Sequence, residues 1–449
     1  MKYLIFFATA FAGVPMMALA AMVHPAVPGL LLSAMIFSTS WGASAGIRFV
    51  SMELYRGPDR GFEITITDLI ALALVVWLLL TKLRSIKWIP PNSLWCLLFM
   101  TLACVSTAMA PVSIYGEFTL LKLARAYLVF WCVCNCILAG VDRRYVWLGF
   151  MAVAAYVTLL ALEQKYLFGI YRIRGPFDHS NTVPMYLNMT LPLLMVWGVC
   201  DPRLGKVPAL ASMGAALGMV FCVLATQSRF GLVLSGACLA GAMGYANWRH
   251  RGSRTTLITA VMVMGVLVGG AMAASTVINR FKTAPKESEE AREEFNAAAR
   301  MMLADKFFGV GLNNFSEVLS NEQRYREHIV VMKHEEQAGV AHHIYLLTAA
   351  EMGRIGLVVY LAVIFRFMWM ALWGALTGRS VENGLLFGLF LGAAALHLVG
   401  LKEWALRITP PTYMFAVTSG LIAAWSLQNR AARRAKRRAP ALRGKLRHV

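Results

Sequence analysis

The chain carries at residues 207–226 the uncharged run VPALASMGAALGMVFCVLAT, and runs of this kind decide its fold. Apolar runs of about 17 to 22 residues suffice for an α-helix to cross the hydrocarbon core of a bilayer, and they recur throughout the 449-residue chain. Hydrophobic residues make up 58% of the sequence and charged residues only 15%, whereas soluble domains contain about 25% charged residues. The composition therefore excludes a water-soluble globular protein and predicts an all-α, polytopic membrane protein.

The formal net charge of +20 is distributed in short basic clusters between the apolar runs. In that position Lys and Arg orient membrane spans and contact anionic lipid. We therefore expect membrane lipids, and not nucleic acid, as the partners of these charges. The strongest cluster is the tail, residues 429–449, which contains nine Lys and Arg residues and no acidic residue. The positive-inside rule predicts that this tail is cytoplasmic.

Counting back from the tail predicts about 12 transmembrane helices, with one crossing and a broken or re-entrant piece before residue 41, where prolines interrupt the apolar stretch. The connections expected on the cytoplasmic side are residues 81–87, 142–144, 200–206, 247–254 and 377–383. The segments expected on the opposite side are residues 41–65, 111–117, 165–182, 226–229, 276–341 and 400–411.

This count divides the chain into four parts. Residues 1–275 and 342–428 form the transmembrane bundle, residues 276–341 a periplasmic helical loop, and residues 429–449 the cytoplasmic tail. Within the loop, acidic residues from Glu287 precede apolar residues at helical spacing, which predicts an amphipathic helix that ends before residues 309–311. A second polar helix is expected over residues 316–331.

All eight cysteines lie inside or at the ends of apolar runs, so the sequence predicts no disulfide. The spacing of Cys132, Cys134 and Cys136 suggests a metal-binding cluster. Residues two apart on a helix point in different directions, however, so only Cys132 and Cys136 share a face. We interpret them as core-packing residues.

Ionisable residues inside spans are costly and therefore indicate function. Those of this chain lie within about two helical turns of the outer ends of their spans, in one shallow layer; they are Asp68, Lys122, Arg125, Glu163, Arg229 and Glu351. A transporter would instead place polar groups near the midplane. The distribution favours a site that receives substrates, including a lipid-linked one, from the membrane surface.

Several of these residues also allow a structural interpretation. Arg229 could extend to the interface from a tight turn between two spans. Lys122 and Arg125 could pair with Glu117 or Glu163. The loop that contains Arg172, Arg174 and the turn-rich sequence GPFDHSN at residues 175–181 could serve only to connect two spans, with no role in binding or catalysis.

The most informative stretch is AHHIYLLTAAEMG at residues 341–353, where the outer loop becomes a membrane helix. A zinc site would need three convergent ligands, but Glu351 lies on the opposite side of this helix from His342. A structural role at the interface is a second possibility. The sequence favours a third, in which a histidine binds a hydroxyl or phosphate or accepts a proton.

At these residues the chain resembles the O-antigen ligase and polymerase superfamily, and most closely the O-antigen ligases that complete lipopolysaccharide. The resemblance rests on the helix-opening Ala-His with a following Glu-x-Gly, on Ser-Arg-x-Gly at residues 228–231, on FGVGLNNF at 308–315 and on Gly-Pro-Phe at 175–177 with Asn181. Together these motifs cover residues 170–360. One departure is His343, where the family more often has Asn.

The resemblance implies an inverting transfer of glycan from undecaprenyl pyrophosphate to a hydroxyl of the lipid A-core acceptor, at the periplasmic face of the inner membrane, without nucleotide sugar. Because the sequence offers no convergent set of carboxylates for Mg²⁺ or Mn²⁺ in the outer layer, we expect no metal, and no cofactor is expected. His342 would orient or deprotonate the hydroxyl, with His343 as the second candidate for that role, and Glu351 would be an orienting or helix-packing group and not a base. Guanidinium groups would stabilise the departing pyrophosphate. The candidates for the pyrophosphate are Arg229 and Arg174, followed by Arg125 and Lys122. Further candidate residues are Arg172, His179, Asn181, Arg300 and Asn313. An O-antigen polymerase, a protein O-oligosaccharyltransferase and a lipid-linked glycan transporter remain alternatives.

Overall fold

The computed structural model describes residues 2–41, 46–201, 203–282, 287–327, 329, 339–378 and 380–445. Nearly all regular structure within these ranges is helical. The helices in chain order are α1 Lys2–Ala8, α2 Val14–Val23, α3 Val27–Ser38, α4 Ile66–Thr81, α5 Ser93–Ala108, α6 Ser113–Leu138, α7 Arg143–Leu162, α8 Thr182–Cys200, α9 Lys206–Thr226, α10 Arg229–Arg249, α11 Ser253–Lys282, α12 Glu287–Asp305, α13 Phe315–Asn321, α14 Gln323–Arg326, α15 Ile344–Leu376, α16 Val381–Val399 and α17 Thr409–Lys445.

Eight helical segments among the described residues are long and apolar enough to cross a membrane. They are Tyr3–Val23, Ser113–Leu138, Arg143–Leu167, Thr182–Cys200, Lys206–Thr226, Arg229–Arg249, Ile344–Leu376 and Val381–Val399. Shorter apolar helices occupy Val27–Ser38, Ile66–Thr81, Ser93–Ala108 and Thr255–Val268. The predicted all-α, polytopic architecture is confirmed. Before residue 41, α1 and α2 continue into each other through a π-helical turn at Thr9–Gly13 and form one piece, and α3 is a second piece, separated from the first where His24 is extended.

Helix α8 is the centre of the bundle. Its apolar window is completely enclosed by protein, and it packs against α9, α10 and α16. A helix that is apolar all round can be buried on every face. Its polar Asn188 is satisfied inside the bundle, because the Ser235 hydroxyl of α10 donates to Asn188 Oδ1 at 2.5 Å.

A small β-hairpin between α3 and α4 was not foreseen in the all-helical prediction. Strands β1, Gly46–Ser51, and β2, Gly61–Thr65, pair antiparallel. The hairpin leads directly into α4, where Thr65 and Asp68 form a capping box. Its connection between the strands has no short turn motif, and neither strand alternates between buried and exposed residues, so the sequence did not indicate the hairpin.

The loop at residues 276–341, called the outer loop here, differs from the prediction in its second helix. The amphipathic helix is α12, as expected, and it buries Phe295 and Met302. The second predicted helix, over residues 316–331, is instead the two short helices α13 and α14, because Glu322 between them is extended. Residues 328 and 330–331 of that prediction lie outside the described residues. The loop helices share a hydrophobic cluster with Leu347 and Ala350 of α15.

Helix α15 is kinked at Gly353, whose φ of 70° favours glycine. The carbonyl oxygens of Ala350 and Glu351 accept hydrogen bonds from the N–H groups of Val310 and Gly311, at 2.8 and 3.0 Å. A Cβ atom at Gly353 would lie 2.2 Å from a backbone oxygen of the loop. The glycines of the FGVGLNNF and Glu-x-Gly motifs therefore allow the loop and the kinked helix to pair through their backbones.

Three connections that the charge pattern assigns to the cytoplasmic side lie next to one another in the fold, residues 142–144, 200–206 and 377–383. Arg143 at the start of α7 pairs with Asp201 after α8 at 3.1 Å and with Glu382 in α16 at 2.5 Å. Their proximity agrees with the alternation of sides used to count the spans.

Candidate functional site

A cavity of about 920 Å³ lies where the ends of α8, α10, α15 and α16 meet helix α12. Four segments that the sequence assigns to one side of the membrane line it: residues 165–182, 226–229, 276–341 and 400–411. Seven of the sequence-derived candidates are among the lining residues: Arg172, His179, Asn181, Arg229, Arg300, His342 and His343. The cavity is therefore the candidate functional site.

Arg229 reaches the cavity as the first residue of α10. Gly231, two residues further, is where α10 approaches α8 closely, since a Cβ there would lie 2.5 Å from Pro184 Cβ. The spacing in Ser-Arg-x-Gly thus brings the start of α10 against α8 and presents Arg229 at the cavity wall. The N-terminus of a helix carries positive partial charge, which adds to the guanidinium charge.

Arg172 and Asn181 come from the loop between α7 and α8 and contact each other. Arg172 Nη2 donates to Asn181 Oδ1 at 3.3 Å, and Arg172 Nε donates to the Thr226 carbonyl at 3.1 Å. The loop is held by Gln164, whose Oε1 accepts from the N–H groups of Arg174 and Gly175 at 3.0 and 2.9 Å. Arg172 thus connects this loop to the turn before α10, and Gln164 connects the Gly-Pro-Phe motif to the chain that follows α7.

His342 pairs with a carboxylate that sequence reasoning missed. Its Nδ1 lies 3.3 Å from Oε2 of Glu403, in the loop after α16. The other oxygen of Glu403 accepts from Asn181 Nδ2 at 2.7 Å and from Arg292 Nη2 at 2.9 Å. Burial alone would raise the pKa of Glu403, but the bond from His342 and the charge of Arg292 outweigh it and hold this pKa below its usual value. Glu403 is therefore ionised at neutral pH.

His343 has a different environment, which separates the two histidines. It is the N-cap of α15, and its Nδ1 accepts from the Leu346 N–H at 3.2 Å. Asn, the residue more frequent at this position in the family, is among the best N-cap residues. Burial lowers the pKa of His343, so its ring is neutral at pH 7. His343 thus lines the cavity while performing the capping function.

Helix α12 contributes the remaining charges of the cavity wall. Arg292 is half-buried against Glu403, whereas Arg300 is exposed and pairs with Glu293 of its own helix. Lys402, beside Glu403, also lines the cavity. The wall therefore carries an excess of positive charge around the His342–Glu403 pair.

Two predicted pyrophosphate ligands lie elsewhere. Lys122 is buried, pairs with Asp59 and donates to the Arg407 carbonyl at 2.7 Å. Arg125 is buried against Asp68, with Nε 3.0 Å from the carboxylate. Both therefore have the structural pairing that the sequence left open, although their partners are aspartates and not the expected glutamates. They line smaller spaces within the bundle.

Three more candidates are also outside the cavity lining. Arg174 is exposed to solvent. Glu351 is fully buried and pairs with Arg407. Asn313 is buried, and its Nδ2 donates to the carbonyl oxygens of Asp59 and Tyr115, at 2.8 and 2.7 Å. Glu351 and Asn313 connect the outer loop to the bundle, through the bond from the Gly311 N–H to the Glu351 carbonyl and through the bonds that Asn313 donates.

Within the described residues, no group of three or more His, Cys, Asp or Glu side chains is arranged to hold a metal ion. The polar groups that meet at the cavity are instead His342, Glu403 and the neighbouring guanidinium groups. Such a combination can accept a proton at a ring nitrogen and can stabilise negative charge on a phosphate.

The fold and this cavity define a multi-pass membrane protein with a histidine- and arginine-lined site at one end of its helical bundle. Residues 214–361 match the profile of the family described as O-Antigen ligase. The match supports membership of the chain in the O-antigen ligase superfamily and confirms the resemblance seen in the motifs. It also supports a glycosyltransferase-type function. A search of curated proteins found no match. The matched region includes Arg229, Arg292 and His342, whereas Asn181 and Glu403 lie outside it.

Proposed function

We propose that this chain is an inverting, metal-independent glycosyltransferase that moves O-antigen glycan from undecaprenyl pyrophosphate to the lipid A-core oligosaccharide at the periplasmic face of the bacterial inner membrane. The observation that carries the proposal is the cavity in which the His342–Glu403 pair faces Arg229 and Arg172. A lipid-linked glycan donor is the substrate class that the superfamily implies.

In the proposed reaction, a sugar hydroxyl of the acceptor attacks the anomeric carbon of the donor sugar. The new C–O bond forms on the face opposite the leaving group, and the bond to the pyrophosphate oxygen breaks with its electron pair remaining on that oxygen. His342 accepts the hydroxyl proton. The product is a glycosylated acceptor with inverted configuration, together with undecaprenyl pyrophosphate.

The leaving pyrophosphate requires positive charge as the bond breaks. Arg229 and Arg172 supply planar guanidinium groups, and the N-terminus of α10 supplies oriented N–H groups beside Arg229. This arrangement performs electrostatically the task that a divalent cation performs in other phosphate-releasing enzymes. Arg174 was a first choice from the sequence, but its exposed position favours Arg172 in this role.

A reconstituted transfer assay tests the proposal. Purified protein in liposomes receives a defined undecaprenyl-pyrophosphate-linked glycan and, in parallel reactions, lipid A-core, a second donor molecule or an acceptor protein. We expect glycan on lipid A-core, resolved by gel mobility and mass spectrometry. Product on the growing glycan or on protein would replace the ligase with the polymerase or the O-oligosaccharyltransferase. Movement of intact donor across the bilayer without any transfer would identify a transporter.

Replacing Arg229 by lysine should lower the transfer rate by about tenfold or more. Lysine keeps the charge but loses the planar fork that binds two phosphate oxygens, and charge-assisted hydrogen bonds contribute about 1.5 to 3 kcal/mol. Arg174→Lys is the matched control, because Arg174 lies outside the cavity lining. EDTA should leave the wild-type rate unchanged. Equal effects of the two substitutions, or activity that needs added Mn²⁺ after EDTA, would contradict this mechanism.

The proposed orientation predicts a labelling pattern in intact cells. In a background without the native cysteines, Glu322→Cys should react with a membrane-impermeant maleimide from the periplasm, because residue 322 lies in the outer loop. Pro440→Cys in the basic tail should react only after the inner membrane is permeabilised. Labelling of position 440 in sealed cells would reverse the assignment of sides.

A further inference from the structure

Glu403 is held in one orientation by three different segments of the chain. It is 8% exposed. One oxygen accepts from Asn181 before α8 and from Arg292 in α12, at 2.7 and 2.9 Å, and the other lies 3.3 Å from His342 Nδ1. Asn181 is itself oriented by Arg172. A carboxylate fixed by two donors on one oxygen is directed at the histidine with the other.

We propose that Glu403 is a positioning residue that holds His342 in the tautomer with the proton on Nδ1, so that Nε2 is the acceptor presented to the cavity. This inference rests on the proposed transfer function and specifies how its base is prepared. A buried carboxylate that accepts from one imidazole nitrogen sets the ring orientation and stabilises the imidazolium that forms when the other nitrogen takes a proton.

The groups around His342 are mostly cationic, so His342 needs the carboxylate of Glu403 in order to act as a base. The ionisable groups that face His342 across the cavity or beside it are Arg172 and His179 of the loop before α8, Arg229 of α10, Arg292, Glu293 and Arg300 of α12, His343, and Lys402 and Glu403 after α16. The other carboxylate among them, that of Glu293, is exposed and pairs with Arg300. Without Glu403, an imidazolium at His342 would face mainly cationic neighbours.

The first test is the pH dependence of transfer by Glu403→Gln. Glutamine keeps the size of the side chain but removes its charge, so we expect the maximal rate to fall at least about 100-fold, within the roughly 10⁴-fold loss known for a comparable Asp to Asn change beside a catalytic histidine. The donor KM should change much less. The acid limb of the rate profile should move to lower pH, because a carboxylate favours the protonated ring. Glu322 is an exposed carboxylate immediately before α14, outside the cavity lining. Glu322→Gln is therefore the matched control and should behave as wild type.

Glu403→Asp separates charge from position. Aspartate retains the negative charge but is one methylene shorter, so the rate should fall while the acid limb stays closer to that of the wild type. This variant also carries the test if Glu403→Gln does not elute as a folded protein. A normal rate and an unchanged profile in either variant would overturn the inference.

A second readout does not depend on transfer. Diethyl pyrocarbonate modifies neutral imidazole, and peptide mass spectrometry can follow His342 in a His343→Asn background. The pH midpoint of modification should move to lower pH in Glu403→Gln. If the wild type transfers no glycan to any acceptor, the proposed function fails, while this midpoint still reports on the pair. A midpoint that does not move shows that Glu403 does not act on His342.

Discussion

Replacement of His342 by alanine should abolish measurable glycan transfer while the protein remains inserted and folded. A positioned general base contributes about 10²- to 10⁴-fold to a rate, and His342 is the cavity histidine paired with Glu403. The initial rate in the reconstituted assay measures this loss. Size-exclusion elution of the variant in detergent shows whether its fold is retained.

His343→Asn is the matched control for this experiment. Asparagine can take over the N-cap contact with the Leu346 N–H that His343 makes, so this variant should keep most of the activity. His343→Ala should be milder than His342→Ala and should act mainly through the lost cap. A larger loss at position 343 than at 342 would show that the roles of the two histidines are reversed.

Replacement of Glu351 by glutamine should strongly destabilise the folded protein. Glu351 is fully buried in its ion pair with Arg407, and removing one partner of a buried pair costs about 3 to 5 kcal/mol because the other charge stays uncompensated. We expect a clearly lower unfolding temperature in detergent. Glu382→Gln, which removes a partly exposed partner of Arg143, should cost at most about 1 kcal/mol.

The double variant Glu351→Gln with Arg407→Gln distinguishes a structural pair from a catalytic carboxylate. Removing both charges should restore part of the stability lost in either single variant. Full thermal stability of Glu351→Gln together with loss of transfer would return Glu351 to the catalytic residues that the sequence suggested.

The helical architecture could be predicted because it depends on local composition. Apolar runs of sufficient length specify spans without knowledge of their neighbours, and helix α12 followed from its own periodicity. The hairpin and the break at Glu322 depend on short segments whose conformation tertiary contacts decide, so the sequence did not indicate them. Gly309, Gly311 and Gly353 belong to motifs that the sequence shows. Their contribution, the close backbone pairing of the loop with α15, depends on tertiary contacts that the sequence does not show.

The site was predictable where a residue's position in a span or loop is informative. Arg229 and His342 stand at helix starts next to outer loops, and both line the cavity. Lys122 and Arg125 met the same criterion, yet they pair with aspartates 57 or more residues away in the chain. Their pairing could not be read from local sequence.

Glu403 was missed for the same physical reason. It lies 61 residues from His342 and 222 from Asn181, and a single carboxylate in a short connection has no motif. The available signal was its place in segment 400–411, on the side already assigned to the candidate site. A survey of every ionisable residue in the outer connections, instead of those within spans, would have included it.

The enclosure of α8 has a consequence for the biogenesis of the protein. α8 leaves the ribosome well before α16, the helix against which it packs most extensively, and it carries Asn188 and Thr190 in its apolar sequence. Asn188 finds its partners in α10, which is made before α16, but the face of α8 with Met189 and Leu193, against which Gly392 and Gly388 of α16 pack, stays uncovered until α16 arrives. Assembly of the bundle is therefore completed only late in translation, and a chain truncated before Val381 leaves this face of α8 uncovered.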